Sequence, residues 1–300
     1  MINVIVNKKY DNKKIINFIL SEFPNLSYSY LHKSLRKKDI LVNGKRINSN
    51  INVKKFDKIT IYITDDILYG KKNTVNLDIV YEDKNILILN KPSGISVLKD
   101  HLNSKTSFSD IVNNYCPDAK PCHRLDRNTS GLIIYAKNND ILEILLEKFK
   151  NREIEKYYKA VVYGIPKVKE AKMQAYLFKD NKKSIVYISD TFKKGYKKIL
   201  TSYKVLDYNK KLNISLLDIH LYTGRTHQIR AHLAHIGIPI LGDGKYGINF
   251  INKRFKEKHQ LLTSYKIVFH FINDSKKLNY LNNKIFTIPA NYKYFNSIET

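Results

Sequence analysis

The sequence predicts an α+β fold: a mixed, largely antiparallel sheet with flanking helices, preceded by a small α+β unit. Three observations predict it. Strand signals at Tyr157–Tyr163, Ser184–Ile188, Ile199–Leu206 and Ile214–Ile219 crowd together, which argues against a strictly alternating doubly wound sheet. Residues 1–66 hold two short helical patterns and several short strand patterns of their own. Between the two regions, residues 65–77 are polar and contain Gly70-Lys71-Lys72-Asn73, a composition that suits a connection. The expected boundaries are a first domain over 1–66, a linker over 67–77 and a second domain over 78–300.

In the first domain, Ile15, Ile16, Ile19, Leu20 and Phe23 repeat at helical spacing, with Asp11 or Asn12 as expected N-cap. Pro24 and Asn25 stop that helix. Ser27 is placed to cap a second one, with Tyr28, Leu31 and Leu35 on one face and Lys33, Arg36 and Lys37 beside it. Ile40-Leu41-Val42 reads as a strand, Asn43-Gly44 as a tight turn, and Arg46-Ile47 as the return. Ile59 to Ile63 alternates as a further strand.

In the second domain, Ile86 to Leu89 and Leu132 to Ala136 read as buried strands, and Ile141 to Phe149 as a helix. Ile229 to Ile236 reads as another helix and Ile267 to Phe271 as a late strand. Gly224, Gly237, Gly242, Gly244 and Gly247 crowd around the Ile229 helix, as tight turns in the wall of a site or simply as loops. No internal repeat is visible.

Charge narrows the function. The 300 residues include 53 Lys and Arg against 27 Asp and Glu, a formal net charge of +26. Such a charge opposes compaction unless a polyanion offsets it, so nucleic acid is the first expected partner. A membrane is less favoured, because runs such as Ile86-Leu87-Ile88-Leu89 fall far short of the roughly 20 apolar residues of a spanning helix. Asn3, Asn7, Lys8 and Lys9 interrupt any signal-peptide core, so the chain is expected in the cytoplasm, with a monomer the simplest state. Cys116 and Cys122 lack zinc-ligand spacing and read as reduced thiols. His227, His232 and His235 lack the carboxylates of a metal site, so no metal is expected.

Two segments stand out chemically. In His123-Arg124-Leu125-Asp126-Arg127-Asn128-Thr129, one carboxylate lies between two of the chain's eight arginines. Nearby cations favour its charged form, which makes either a structural ion pair or a charged nucleophile. In Thr223-Gly224-Arg225-Thr226-His227-Gln228-Ile229-Arg230, a turn feeds a helix N-terminus, a good anion site. Lys156 to Gly164 is a basic, aromatic strand, which by pattern alone is half-exposed with core tyrosines. No P-loop ending and no dinucleotide glycine pattern follows the early strands.

Taken in order, Asn90-Lys91-Pro92-Ser93-Gly94, His123 to Leu132, Lys156 to Gly164 and Thr223 to Arg230, followed by Ile236-Gly237, Gly242-Asp243 and Tyr246-Gly247, resemble the RluA-type ribosomal RNA pseudouridine synthases. The resemblance covers nearly the whole chain, and residues 1–66 resemble the small S-four RNA-binding domain often placed in front. It implies isomerisation of uridine to pseudouridine in RNA, most simply in large-subunit ribosomal RNA, with no cofactor. On that resemblance Asp126 matches the nucleophile, Tyr158 the active-site tyrosine and Arg230 the arginine that pairs with the carboxylate. Arg124 matches the residue that fills the gap left by the flipped nucleotide, and Leu262 an apolar residue of the base pocket. His123, Arg127 and Thr129 fall in the same motif and are expected at the substrate. Lys33, Arg36, Lys37, Lys45 and Arg46 are expected at RNA. After Leu262 the family usually has His-Ala, where this chain has Thr263-Ser264.

The physics is compatible. A base buried in a stack must be extruded at a cost of a few kcal/mol, which a basic surface and an accessory RNA module offset. The competing expectation is a non-catalytic RNA-binding or ribosome-assembly protein that uses only the basic surface. A metal-dependent nuclease would need clustered carboxylates, which the sequence does not offer.

Overall fold

Ile86–Leu89 and Leu132–Ala136 are apolar at every position, the pattern of strands covered on both faces. A computed structural model, which describes residues 2–24, 26, 28–63, 77–99 and 106–295, pairs them antiparallel, with Ile86 opposite Ala136 and Leu89 opposite Ile133. The chain divides into two compact units, Met1–Val75 and Asn76–Thr300. Residues 67–76 of the expected linker and the expected cap Ser27 lie outside the described residues.

The smaller unit contains β1 (Ile2–Ile5), β2 (Lys13–Lys14), α1 (Ile15–Glu22), α2 (Tyr28–Arg36), β3 (Ile40–Val42), β4 (Lys45–Ile47), β5 (Asn52–Val53) and β6 (Lys58–Ile61). An antiparallel sheet in the order β1-β6-β3-β4 packs with the helices over Ile15, Ile16, Phe18, Ile19, Leu31 and Leu35. Asn43 and Gly44 have φ of 49° and 79°, the positive values that a tight hairpin turn matched to strand twist requires. Two local expectations are corrected. The N-cap of α1 is Lys14, with no side-chain cap; Asp11 instead accepts from the backbone N–H of Lys55 at 2.8 Å, because β2 pairs with β5 before the helix begins. Tyr28 lies outside the core, 52% exposed, with its ring 4.9 Å from that of His32.

The larger unit runs β7 (Ile79–Glu82), β8 (Ile86–Lys91), α3 (Phe108–Tyr115), β9 (Lys120–Pro121), β10 (Ser130–Ala136), α4 (Asn139–Lys150), β11 (Ile154–Tyr163), β12 (Glu170–Asp180), β13 (Ile185–Ser189), β14 (Lys197–Asn209), β15 (Ile214–Leu221), α5 (Gln228–His235), α6 (Asn249–Arg254), β16 (Leu262–Phe269) and β17 (Ile285–Thr287). Among the described residues the strands form one eleven-stranded sheet in the order β13-β12-β14-β15-β11-β16-β10-β8-β7, with β17 on β16 and β9 on β10. Only the β10–β16 pairing is parallel; the sheet is therefore mixed and largely antiparallel, as the crowded strand signals predict.

Alternation splits the core between the two faces. Ile86, Ile88, Leu132 and Ile134 point to one side, where Ile141 and Leu145 of α4 cover them. Leu87, Leu89, Ile133 and Tyr135 point to the other, under Phe108 and Val112 of α3 and with Leu233 of α5 in the same cluster. Each such aliphatic side chain stabilises the fold by about 1.5–3 kcal/mol when fully buried. The parallel contact is tight at Gly131, where φ is +109° and a Cβ would fall on the backbone carbonyl of Ser264. Among the described residues no helix is long and apolar enough to cross a membrane.

Candidate active site

Residues 122–129 form the loop that leads from β9 into β10, and it is fastened at several points. The Thr129 N–H donates to the Asp126 carbonyl at 3.0 Å. Lys91, fully buried at the end of β8, donates its ammonium to the carbonyls of Pro92, Ile95 and Arg127 at 2.7, 2.8 and 3.2 Å. Burial pushes Lys91 down to about 8, while the nearby Asp126 acts in the opposite direction. The Ser93 hydroxyl donates to the Asn128 carbonyl at 2.9 Å. The 92–95 turn and the Asp126 loop are thus laced through one buried ammonium.

The Asp126 carboxylate faces a cavity of about 410 Å³. Its Oδ2 accepts from Arg230 Nη1 at 2.8 Å. Arg230 comes from α5, and its other edge meets Asp243: Nε and Nη2 donate to Asp243 Oδ2 and Oδ1 at 2.7 and 2.9 Å. Asp243 is fully buried and also accepts from the backbone N–H groups of Lys245 and Tyr246. Burial works to raise its carboxyl, but the Arg230 hydrogen bonds and charge prevail and hold it below the usual range. Burial likewise disfavours the charged form of Arg230, but Asp243 and Asp126 outweigh it and raise the guanidinium further. Only a planar fork spans two carboxylates in this way.

Tyr158 enters the cavity from β11 and is 5% exposed. Burial, with some help from Asp126, pushes its phenol well above the ordinary tyrosine range. It therefore stays protonated at neutral pH and offers a ring face and an O–H rather than a strong base. Beside it, the β11–β16 register shifts between Tyr157 and Tyr158, a strand irregularity of the kind often found next to sites.

His123, Arg124, Thr129 and Leu262 join Asp126, Tyr158 and Arg230 in the wall of this cavity. His123 is neutral, pushed down to about 3 by burial, with Nε2 accepting from the Ile134 N–H at 3.1 Å. Arg124 is exposed at the rim. Thr129 is buried and accepts from Gln260 Nε2 at 2.8 Å. Leu262 opens β16 opposite Ala160, so that strand begins five residues before the expected Ile267. Arg127 does not join the wall; its side chain is exposed and its carbonyl serves Lys91. Lys33, Arg36, Lys37, Lys45 and Arg46 are all exposed on the smaller unit, with Arg46 donating to the Lys38 carbonyl at 2.7 Å.

Other residues of the site carried no role in the sequence reading. Asp243 is one, visible only as part of a Gly-Asp pair. His227 is another: at φ 54° it places Nδ1 2.8 Å from Tyr246 Oη and Nε2 4.0 Å from Asp126. Burial pushes it down to about 4, so it faces the carboxylate as a neutral ring. The other two histidines have separate partners, His232 at Thr201 and His235 at Asp190. Cys122, also in the wall, has its thiol pushed up to about 12 by burial and is inert.

The cavity therefore combines one carboxylate, a neutral phenol, apolar walls and a rim of cations. Comparison with known proteins identifies the scaffold. Residues 85–235 match the RNA pseudouridylate synthase family. The chain belongs to that family. It is 35% identical to the ribosomal large subunit pseudouridine synthase C of Buchnera aphidicola subsp. Baizongia pistaciae, covering 96% of this chain and 94% of that one. It is 34% identical to an uncharacterized RNA pseudouridine synthase of Mycoplasma genitalium, over 91% of this chain and 90% of that one. Human RNA pseudouridylate synthase domain containing 1 shares the fold, with a TM-score of 0.56 at 23% identity over 66% of this chain and 80% of that one. This synthase places its Asp126–Arg230 pair inside the family-matched segment.

Proposed function

We propose that this chain isomerises uridines to pseudouridine in large-subunit ribosomal RNA, with Asp126 as the nucleophile. The observation that carries the reading is the Asp126 carboxylate in a cavity large enough for a flipped base, oriented by the Arg230 fork. The substrate class is supported by relatives named as ribosomal large subunit pseudouridine synthases.

The reaction adds and removes no atoms overall. The bond from ribose C1′ to N1 breaks, a bond from C1′ to C5 forms, the C5 proton leaves and N1 gains one. Asp126 is the charged group placed to act on the nucleoside, and Arg230 and Asp243 keep its orientation. Tyr158 packs against the base as a neutral ring, with Leu262 beside it. Arg124 at the rim fills the space the nucleotide vacates, which offsets part of the cost of extrusion. His123 and Thr129 shape the pocket, and Arg127 reaches RNA from the outer side of the loop.

The smaller unit is read as an S-four-like RNA-binding domain. Its exposed Lys33, Arg36, Lys37, Lys45 and Arg46 supply phosphate contacts. Mapping of pseudouridine in total RNA from cells with and without the gene tests the assignment. Loss of large-subunit sites is expected; unchanged large-subunit RNA, with purified chain inactive on its transcript, would refute it.

A further inference from the structure

A second cleft, of about 340 Å³, adjoins the cavity that holds Asp126. The two share Phe149, Lys150, Lys156, Leu221, Gly224 and Arg225 in their walls. The second is built on a ladder of rings. Tyr157 of β11 lies directly opposite His220 of β15, with ring centroids 4.3 Å apart and planes 20° from parallel. His220 is in turn 4.0 Å from Tyr222, and both of these line the cleft. Ammonium groups cover the ends, with Lys266 4.1 Å from the Tyr157 ring and Lys172 4.7 Å from that of Tyr222. Burial holds His220 below its usual range, which keeps that ring neutral and suited to stacking. Glu155, the acidic side chain in the wall, accepts from Tyr157 Oη at 2.7 Å.

Lys156 stands between the two cavities. Its ammonium lies 4.8 Å from the Phe149 ring, and among the described residues it makes no ion pair with a carboxylate. Burial alone pushes it down to about 8. Across from it Gly224 bears no side chain; a Cβ there would sit 3.6 Å from the ammonium, so bare backbone leaves space above the charge. Aromatic faces interleaved with cations are how proteins hold unpaired nucleotides, and a desolvated ammonium without a carboxylate favours an anion.

We propose that the second cleft binds the nucleotide adjoining the target uridine, its base packed against Tyr222 and its linking phosphate held by Lys156 and Arg225. This rests on the reading of the chain as an enzyme acting on RNA. It gives the enzyme a grip on the strand beside the reacting nucleotide. Lys172, an exposed side chain, swings aside to admit the base.

The test uses the absence of tryptophan from the chain. In the full-length Tyr222→Trp variant, a dye-labelled short oligouridylate should quench tryptophan emission over the same concentrations at which anisotropy reports its binding. Tyr222→Ala should weaken binding about tenfold, the usual loss of one stacked base, and Tyr222→Phe should restore it. Lys156→Gln should lower the salt slope by the share of about one phosphate. Binding without quenching, or a Tyr222→Ala affinity within twofold of wild type, would overturn the site. Absence of quenching with pseudouridine formation intact rejects the cleft alone. Quenching in a chain whose wild type forms no pseudouridine rejects the enzyme reading and keeps the cleft.

Discussion

Asp126 and Arg230 lie 104 residues apart in sequence and meet at 2.8 Å, Oδ2 to Nη1. The same guanidinium is held on its other edge by Asp243 through two parallel hydrogen bonds. The carboxylate is thus oriented by a group that cannot itself rotate. Arg230→Lys keeps a charge but cannot span both carboxylates. Pseudouridine formation should fall about a hundredfold, the scale of a misplaced reacting group, with RNA affinity within a few-fold. Single-turnover rates beside filter binding check this, and an unimpaired rate would show that orientation by the fork is unimportant.

Asp243 has no exposed surface, so neutralising it leaves the buried guanidinium with Asp126 as its remaining carboxylate partner. Asp243→Asn should destabilise the fold by about 3–5 kcal/mol, the usual cost of breaking a buried pair from one side. Urea unfolding checks it. A loss below about 1 kcal/mol, the worth of an exposed pair, would contradict the buried-anchor account.

Acid should also weaken the fold. Burial holds His123, His227 and His232 down, at about 3, 4 and 4, against an ordinary 6.5. The unfolded chain takes up these protons first. Stability is therefore intact above about pH 6.5 and is lost as pH falls toward the folded values. The urea midpoint should be lower at pH 5 than at pH 7, and His232→Asn should flatten that slope. Equal midpoints at the two pH values would show that the rings are not buried neutral.

With a net charge of +26, RNA affinity should fall steeply as salt rises, because phosphate contacts release counterions. Filter binding at low and moderate salt measures the slope. A flat response would remove the electrostatic basis of substrate capture.

The sheet was largely legible because its central strands are apolar on both faces or alternate cleanly. Ile214–Leu221, for example, needed only two residues beyond the expected Ile219. Glu170–Asp180 was missed because Glu170, Lys172 and Gln174 face out and only Ala175 and Leu177 are buried. The start of β16 was hidden by polar Thr263 and Ser264, which pair with Ser130 and Gly131 inside the sheet. The helix Phe108–Tyr115 carried a usable signal, the Ser107/Asp110 capping box. Asp126 and Arg230 could be singled out by motif. That Asp243 would close the fork from behind could not, since it depends on how the Gly242 turn, at φ +82° and packed on the His259 carbonyl, returns the chain to α5.

The central claim is that the Asp126 carboxylate carries the reaction. Single-turnover conversion of a large-subunit ribosomal RNA transcript by wild type and Asp126→Asn tests it most directly, with RNA affinity measured on the same samples. The account predicts no pseudouridine from Asp126→Asn and RNA affinity within a few-fold of wild type. Turnover by that variant at a rate near wild type would contradict it.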